Sequence, residues 1–141
     1  MGMTDTGTNV FLDAMMEVTA LPATLYLAVT RDSPDVEDDG TTLSEPSDGS
    51  YARQALGTGS SYWSSAESGI TTFVNEIQFP VATEDWPAMR YWVICDALTS
   101  GDILIWGEFS QGFRILTGQR INILEDAFGV NMSPETEVVS T

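Results

Sequence analysis

The sequence predicts an all-β fold: a β-sandwich or jelly-roll-like domain with one short N-terminal helix. Three observations lead there. Short runs rich in β-branched and aromatic residues recur along the chain, each bounded by Gly, Pro, Asp or Ser clusters. Helical spacing of apolar residues occurs in one place, near the N-terminus. No Gly-rich phosphate loop follows a strand, and no internal repeat is apparent. The 141 residues fit one domain. The hydrophobic share of 43% and the four Trp supply enough apolar side chain for a core without a disulfide.

The elements follow in order. Residues 1–7 are small and polar and read as a flexible arm. In Asn9 to Val18, the residues Phe11, Leu12, Met15 and Met16 fall on one helical face, with Thr8 or Asn9 placed to cap the first turn and Pro22 to stop the run. The simplest place for this Met-rich stripe is the core. Thr24 to Thr30 is dense in strand formers. Residues 31–50 form a long acidic loop carrying Pro34, Gly40, Pro46 and Gly49, of a length that is usually functional or mobile. Short strands are expected at Tyr51 to Leu56, Ser61 to Ser64 and Thr71 to Phe79. The longest apolar run, Met89 to Ala97, should be a central strand, joined through the turn-rich Thr99 to Asp102 to a partner at Ile103 to Trp106. Phe113 to Leu116, Arg120 to Leu124 and Phe128 to Met132 complete the set. The expected organisation is an arm at 1–7, one β-sandwich domain at 8–132, and a polar tail at 133–141 in which Val138 and Val139 are placed to pair with a neighbour.

Charge narrows the function classes. There are 21 Asp plus Glu against 5 basic residues, all Arg, and the formal charge is −16. Such a surface repels phosphate backbones and anionic lipid, so neither direct nucleic-acid nor membrane binding is expected. No apolar run approaches the ~18 residues of a membrane span. The N-terminus carries no basic-then-apolar leader pattern. Without Lys or His there is no Schiff-base lysine, P-loop lysine, histidine base or histidine metal ligand. The single Cys95 lies in the apolar run Tyr91-Trp92-Val93-Ile94-Cys95 and reads as a buried, inert thiol. The chain is not expected to be an enzyme.

A weak calcium pattern occurs at Asp35-Val36-Glu37-Asp38-Asp39-Gly40, where Asp35, Glu37 and Asp39 alternate before a Gly. The third position is Glu, the carboxylate needed at position twelve falls one residue early at Glu45, and no helix pair flanks the loop. A solvated acidic loop is the plainer reading, and no cofactor is expected. Trp92 and Trp106 sit inside apolar strands and read as core. Trp86 sits in a turn, where core packing and a subunit anchor both remain open. Each Arg should pair with carboxylates within the subunit or across a contact.

One segment points beyond these classes. Ser47-Asp48-Gly49-Ser50-Tyr51-Ala52-Arg53-Gln54-Ala55-Leu56 resembles the GGSYARQ segment of small virion structural proteins of tailed phages, described as tail-fibre-like or minor structural proteins. The helix before Leu25-Tyr26-Leu27-Ala28, the Ile77-Gln78-Phe79-Pro80-Val81-Ala82 segment, the paired Tyr91 to Ala97 and Ser100 to Gly107 strands, and Gly118-Gln119-Arg120-Ile121 resemble the same pattern, over roughly residues 8–132. The resemblance implies a virion component, assembled in the host cytoplasm, with no catalytic residues. Its partners would be the major capsid protein or other virion proteins, and it would be a homo-oligomer. The first expectation is a capsid decoration (cement) protein bridging capsid subunits. The alternatives are a tail or tail-fibre component that contacts the host surface, and a calcium-dependent glycan-binding domain. Arg53, Tyr51 and Trp86 are the contact residues expected under this reading.

Overall fold

The computed structural model describes residues 2–131. The tail expected at 133–141, with its Val138 and Val139 pairing, lies outside the described residues. Elements run β1 (Gly2–Met3), α1 (Asp5–Met15), β2 (Thr24–Thr30), β3 (Gln54–Gly57), β4 (Ile70–Thr72), β5 (Ile77–Gln78), β6 (Met89–Cys95), β7 (Ile103–Phe113), β8 (Asn122–Ile123) and β9 (Gly129–Asn131). The fold is all-β with a short helix. Five strands form an antiparallel sheet in the order β1-β7-β6-β2-β3, and two small ribbons, β5-β8 and β4-β9, stand apart from it.

Period-two alternation assigns the faces. Leu27 and Val29 of β2 and Trp92 and Ile94 of β6 point to the main core, where they meet Ile77 of β5, Ile123 of β8 and the buried Phe79, Ile115, Ile121 and Phe128. The second layer of the sandwich is therefore thin, built from the two short ribbons and the segments around them. Ala28, Val93, Cys95 and Ile103 point the other way and pack with Leu43 of the acidic loop and with Trp106. With both faces covered, β2 and β6 are the innermost strands, as their unbroken apolar runs predict. Each Leu, Ile or Val side chain buried there contributes about 1.5–3 kcal/mol.

Several expectations are corrected. The arm at 1–7 is ordered: Gly2 and Met3 pair with Trp106 and Ile105 of β7, and the helix begins at Asp5. Its cap is Thr4 rather than Thr8 or Asn9. The buried Thr4 hydroxyl accepts from Gly7 N at 3.0 Å and donates to the Ile103 carbonyl, which ties helix start to strand. Gly7 is needed there, since a Cβ would lie 2.0 Å from the Leu104 carbonyl oxygen. The acidic loop is not a free excursion. Arg31 N donates to Ser44 O, Asp5 N to Val36 O and Gly40 N to Gly101 O, so the loop folds back over the second face of the sheet. Finally, β7 runs through Gly107 and on to Phe113, far past the expected Trp106. Gly107 is not a break. The Trp92 ring packs on it so closely that a Cβ would lie 2.4 Å from the indole. The strand expected at Ser61 to Ser64 reduces to a single bridge between Trp63 and Phe73.

Candidate functional site

The segment that carries the family resemblance is a fastening point of the fold. Asp48 opens it as a tight turn: its carboxylate accepts from Ser50 N at 3.0 Å and from the Ser50 hydroxyl at 3.0 Å. The same buried carboxylate reaches a distant turn. There it accepts from Thr83 N at 2.7 Å, Glu84 N at 3.1 Å, Trp86 Nε1 at 3.0 Å and the Thr83 hydroxyl. Three residues on, the Tyr51 ring stacks on Phe79 and meets Trp86 edge-on at 5.6 Å. Its hydroxyl donates to Glu45 Oε1 at 2.8 Å and accepts from Val29 N at 3.3 Å.

Arg53 completes the segment. It is 4% exposed, and all five of its N–H groups are used. Nε donates to Glu45 Oε1 and Nη2 to Glu45 Oε2, a bidentate pair at 2.9 and 3.0 Å. Nη2 also donates to Gly40 O, and Nη1 to Ala97 O and Ser100 O, each at 2.9 Å. One guanidinium therefore joins the acidic loop to the β6–β7 hairpin turn.

These environments shift ionisation. Burial alone would raise the Asp48 pKa, but the bonds from Thr83, Trp86 and Ser50 outweigh it and hold the carboxyl far below the ordinary range. Burial raises Tyr51 well above its usual value, and the neighbouring Glu45 charge adds to this. Burial also pushes the Cys95 thiol up to about 12, so it stays protonated and unreactive.

Asp48 gives the chain an acid-sensitive term. Its folded pKa lies below the unfolded value of 3.8, so its stabilisation is complete above that value and is lost as pH falls through it toward the folded pKa. The urea midpoint is expected to decline from about pH 5 to pH 2, with a shallower decline in Asp48→Asn. Equal slopes in the two proteins would show that Asp48 carries no such term.

The structure thus brings Tyr51, Arg53 and Trp86 together, but inside the domain. Trp86 is 3% exposed, so as surface anchors these three residues are corrected: their polar groups are already spent on Asp48, Glu45 and backbone carbonyls. Asp48 and Glu45 were not singled out for this role, although Asp48-Gly49-Ser50 carries the local signal of an Asx turn. The calcium candidates Asp35, Glu37 and Asp39 are not brought together. Asp35 accepts from Val36 N, and Asp39 accepts from Thr41 N and the Thr41 hydroxyl, so these carboxylates close their own turns. Among the described residues, no group of three or more acidic or cysteine side chains is placed to hold a metal ion.

What the structure leaves open to contact is α1. Gly7 sits against β7, while Phe11, Leu12, Met15 and Met16 face outward, Met15 at 58% and Met16 at 66% exposure. The stripe expected in the core is on the surface, because Gly7, the one buried residue of α1, is what fits against the strand. Val18 and Leu21 extend the exposed apolar patch. Beside it runs a groove of about 160 Å³, walled by Phe11, Leu21, Pro22 and Leu25 and floored by Ile94 and Ile105. Asp13 and Glu17 flank the stripe, and α1 carries no basic residue. No helix among the described residues is long and apolar enough to cross a membrane.

No curated protein matches the chain. The family described as Podophage GP4 fiber I protein gp80 matches residues 2–131, the span that includes the α1 surface and the Asp48–Arg53 fastening. The chain belongs to the podophage GP4 fiber I protein gp80 family, and with it to the structural components of a tailed-phage virion.

Proposed function

We propose that the chain is a fibre-associated component of the particle and is held to another virion protein through the apolar face of α1. The observation that carries this is the exposed Phe11, Leu12, Met15 and Met16 stripe. With Val18 at 72% and Leu21 at 55% exposure, it leaves an uncovered apolar surface of the kind that marks a protein–protein contact.

Charge favours the kind of partner. The stripe is flanked by Asp13 and Glu17 on a chain of charge −16. A second copy placed symmetrically on this face would bring like charges together, whereas an apolar cleft rimmed by Arg or Lys would complement it. The family's description as a fibre protein favours a fibre position over a capsid coat. The chain acts by binding rather than by catalysis: it has no His or Lys, and its thiol is buried.

The test is Leu12→Glu combined with Met15→Glu. Both positions are exposed, so the melting temperature should move by only a few degrees, while incorporation into particles should fall at least tenfold. Normal incorporation would overturn the docking role. Dimers in light scattering that the variant abolishes would assign the face to a second copy instead. Copy number per particle separates the positions: a handful supports a fibre, and hundreds would mean a capsid coat.

A further inference from the structure

A second surface lies at the opposite end of β7 from α1. It is a cleft of about 490 Å³. The buried Trp92 and Phe128 of the main core reach it only by their edges, their rings nearly perpendicular with centroids 5.1 Å apart, and the half-buried Phe109 and Phe113 give it its open ring surface. One wall is the C-terminal half of β7, which is bulged. Tyr91 pairs with Glu108 and Met89 with Phe113, so one residue of β6 faces four of β7 between those pairs, and the strand arches around Ser110-Gln111-Gly112. Phe109 and Phe113 meet edge-to-face across the base of this arch at 4.8 Å. The other wall is the segment from Asn122 to Leu124 together with the turn before Gly129.

The size and the aromatic lining suit a small ligand, and the polar groups select its chemistry. Ser110, Gln111 and Asn122 line the cleft with a hydroxyl and two amides, none of which has a hydrogen-bond partner among the described residues. Glu108 is the charged group of the lining, and its carboxylate already accepts from Arg90 at 3.3 Å. No basic residue lines the cleft, so an anionic ligand would find no cationic partner there and would face the overall negative field of the chain. A purely apolar ligand would desolvate two amides and a hydroxyl without replacing their bonds. A cation would suit the rings, but Glu108 is already engaged by Arg90. The remaining match is a molecule with apolar C–H faces for the rings and hydroxyls that both donate and accept for the amides.

We propose that this cleft is a binding site for a neutral carbohydrate, either a stretch of a surface polysaccharide or a free sugar. The site is independent of α1 docking, since it uses other residues at the other end of the strand.

The experiment uses the full chain in solution. Neutral oligosaccharides (cello-, malto- and chito-tetraose, and the neutral members of a bacterial polysaccharide array) are compared with an oligogalacturonate and with tetramethylammonium, with binding read by calorimetry and saturation-transfer NMR. The expected result is binding of at least one neutral glycan, weakened at least tenfold in Gln111→Ala combined with Asn122→Ala while the melting temperature is unchanged. Competition by the corresponding monosaccharide marks a free-sugar site; retention of the polymer alone marks a polysaccharide site. No neutral member bound at millimolar concentration, binding only of the charged probes, or neutral binding indifferent to the double variant would each overturn the proposal. None of these outcomes alters the incorporation test of α1.

Discussion

Replacing Arg53 with Ala should be among the most damaging single changes in this chain. The substitution removes two of the three bonds to the Glu45 carboxylate, leaving that from Tyr51, and takes the donor from the buried Gly40 carbonyl and the part-buried carbonyls of Ala97 and Ser100. Breaking a buried pair from one side costs about 3–5 kcal/mol. A domain of this size has only about 5–15 kcal/mol in total, so the melting temperature should fall by roughly 10–20 °C. Arg53→Lys should recover only part of the loss, because one ammonium cannot serve two carboxylate oxygens and three carbonyls spread around a planar fork. Urea unfolding followed by far-ultraviolet circular dichroism measures both. A midpoint for Arg53→Ala within error of the parent would refute the fastening role.

Trp86→Ala should be comparably costly, by a different route. The ring is buried against Tyr51, so its removal leaves a cavity at the edge of the main core and costs about 3–5 kcal/mol. Trp86→Phe separates packing from hydrogen bonding. It keeps an aromatic ring beside Tyr51 but withdraws the donor aimed at Asp48, with an expected cost of roughly 1–3 kcal/mol. If Phe proves as damaging as Ala, the indole N–H outweighs the packing; if Phe is silent, Asp48 does not need that bond.

These two residues also show what could be read from sequence. Thr24 to Thr30 and the core of Met89 to Ala97 were legible because strands covered on both faces leave unbroken apolar runs. The far half of β7 was hidden, since Gly107 and Ser110-Gln111-Gly112 have the composition of turns. Gly107 is present for the Trp92 ring, a contact between residues on different strands that no local window contains. Helical periodicity found the face of α1 but not its surroundings. Spacing says which residues share a side; it does not say whether anything lies against them. The SYARQ segment identified the family through residues that hold the fold together. Their partners at positions 83–86 and 97–100 are distant in the chain, so the pattern was visible while its purpose was not. The alternating acids at 35–39 supplied oxygens, but Asp35 and Asp39 turn theirs to nearby backbone N–H groups.

The long β7 strand has a mechanical consequence. Its first residues carry α1 and its last residues form the cleft wall, while β6 lies beside it for most of its length. A tension applied between the two ends runs along the strand and loads the β6–β7 ladder in shear, so the hydrogen bonds bear the force together rather than opening one after another from an end. The Arg53 fastening grips the turn that joins these two strands, at the end where α1 is attached. Pulled along this axis, the domain should resist extension more strongly than when pulled across the sheet.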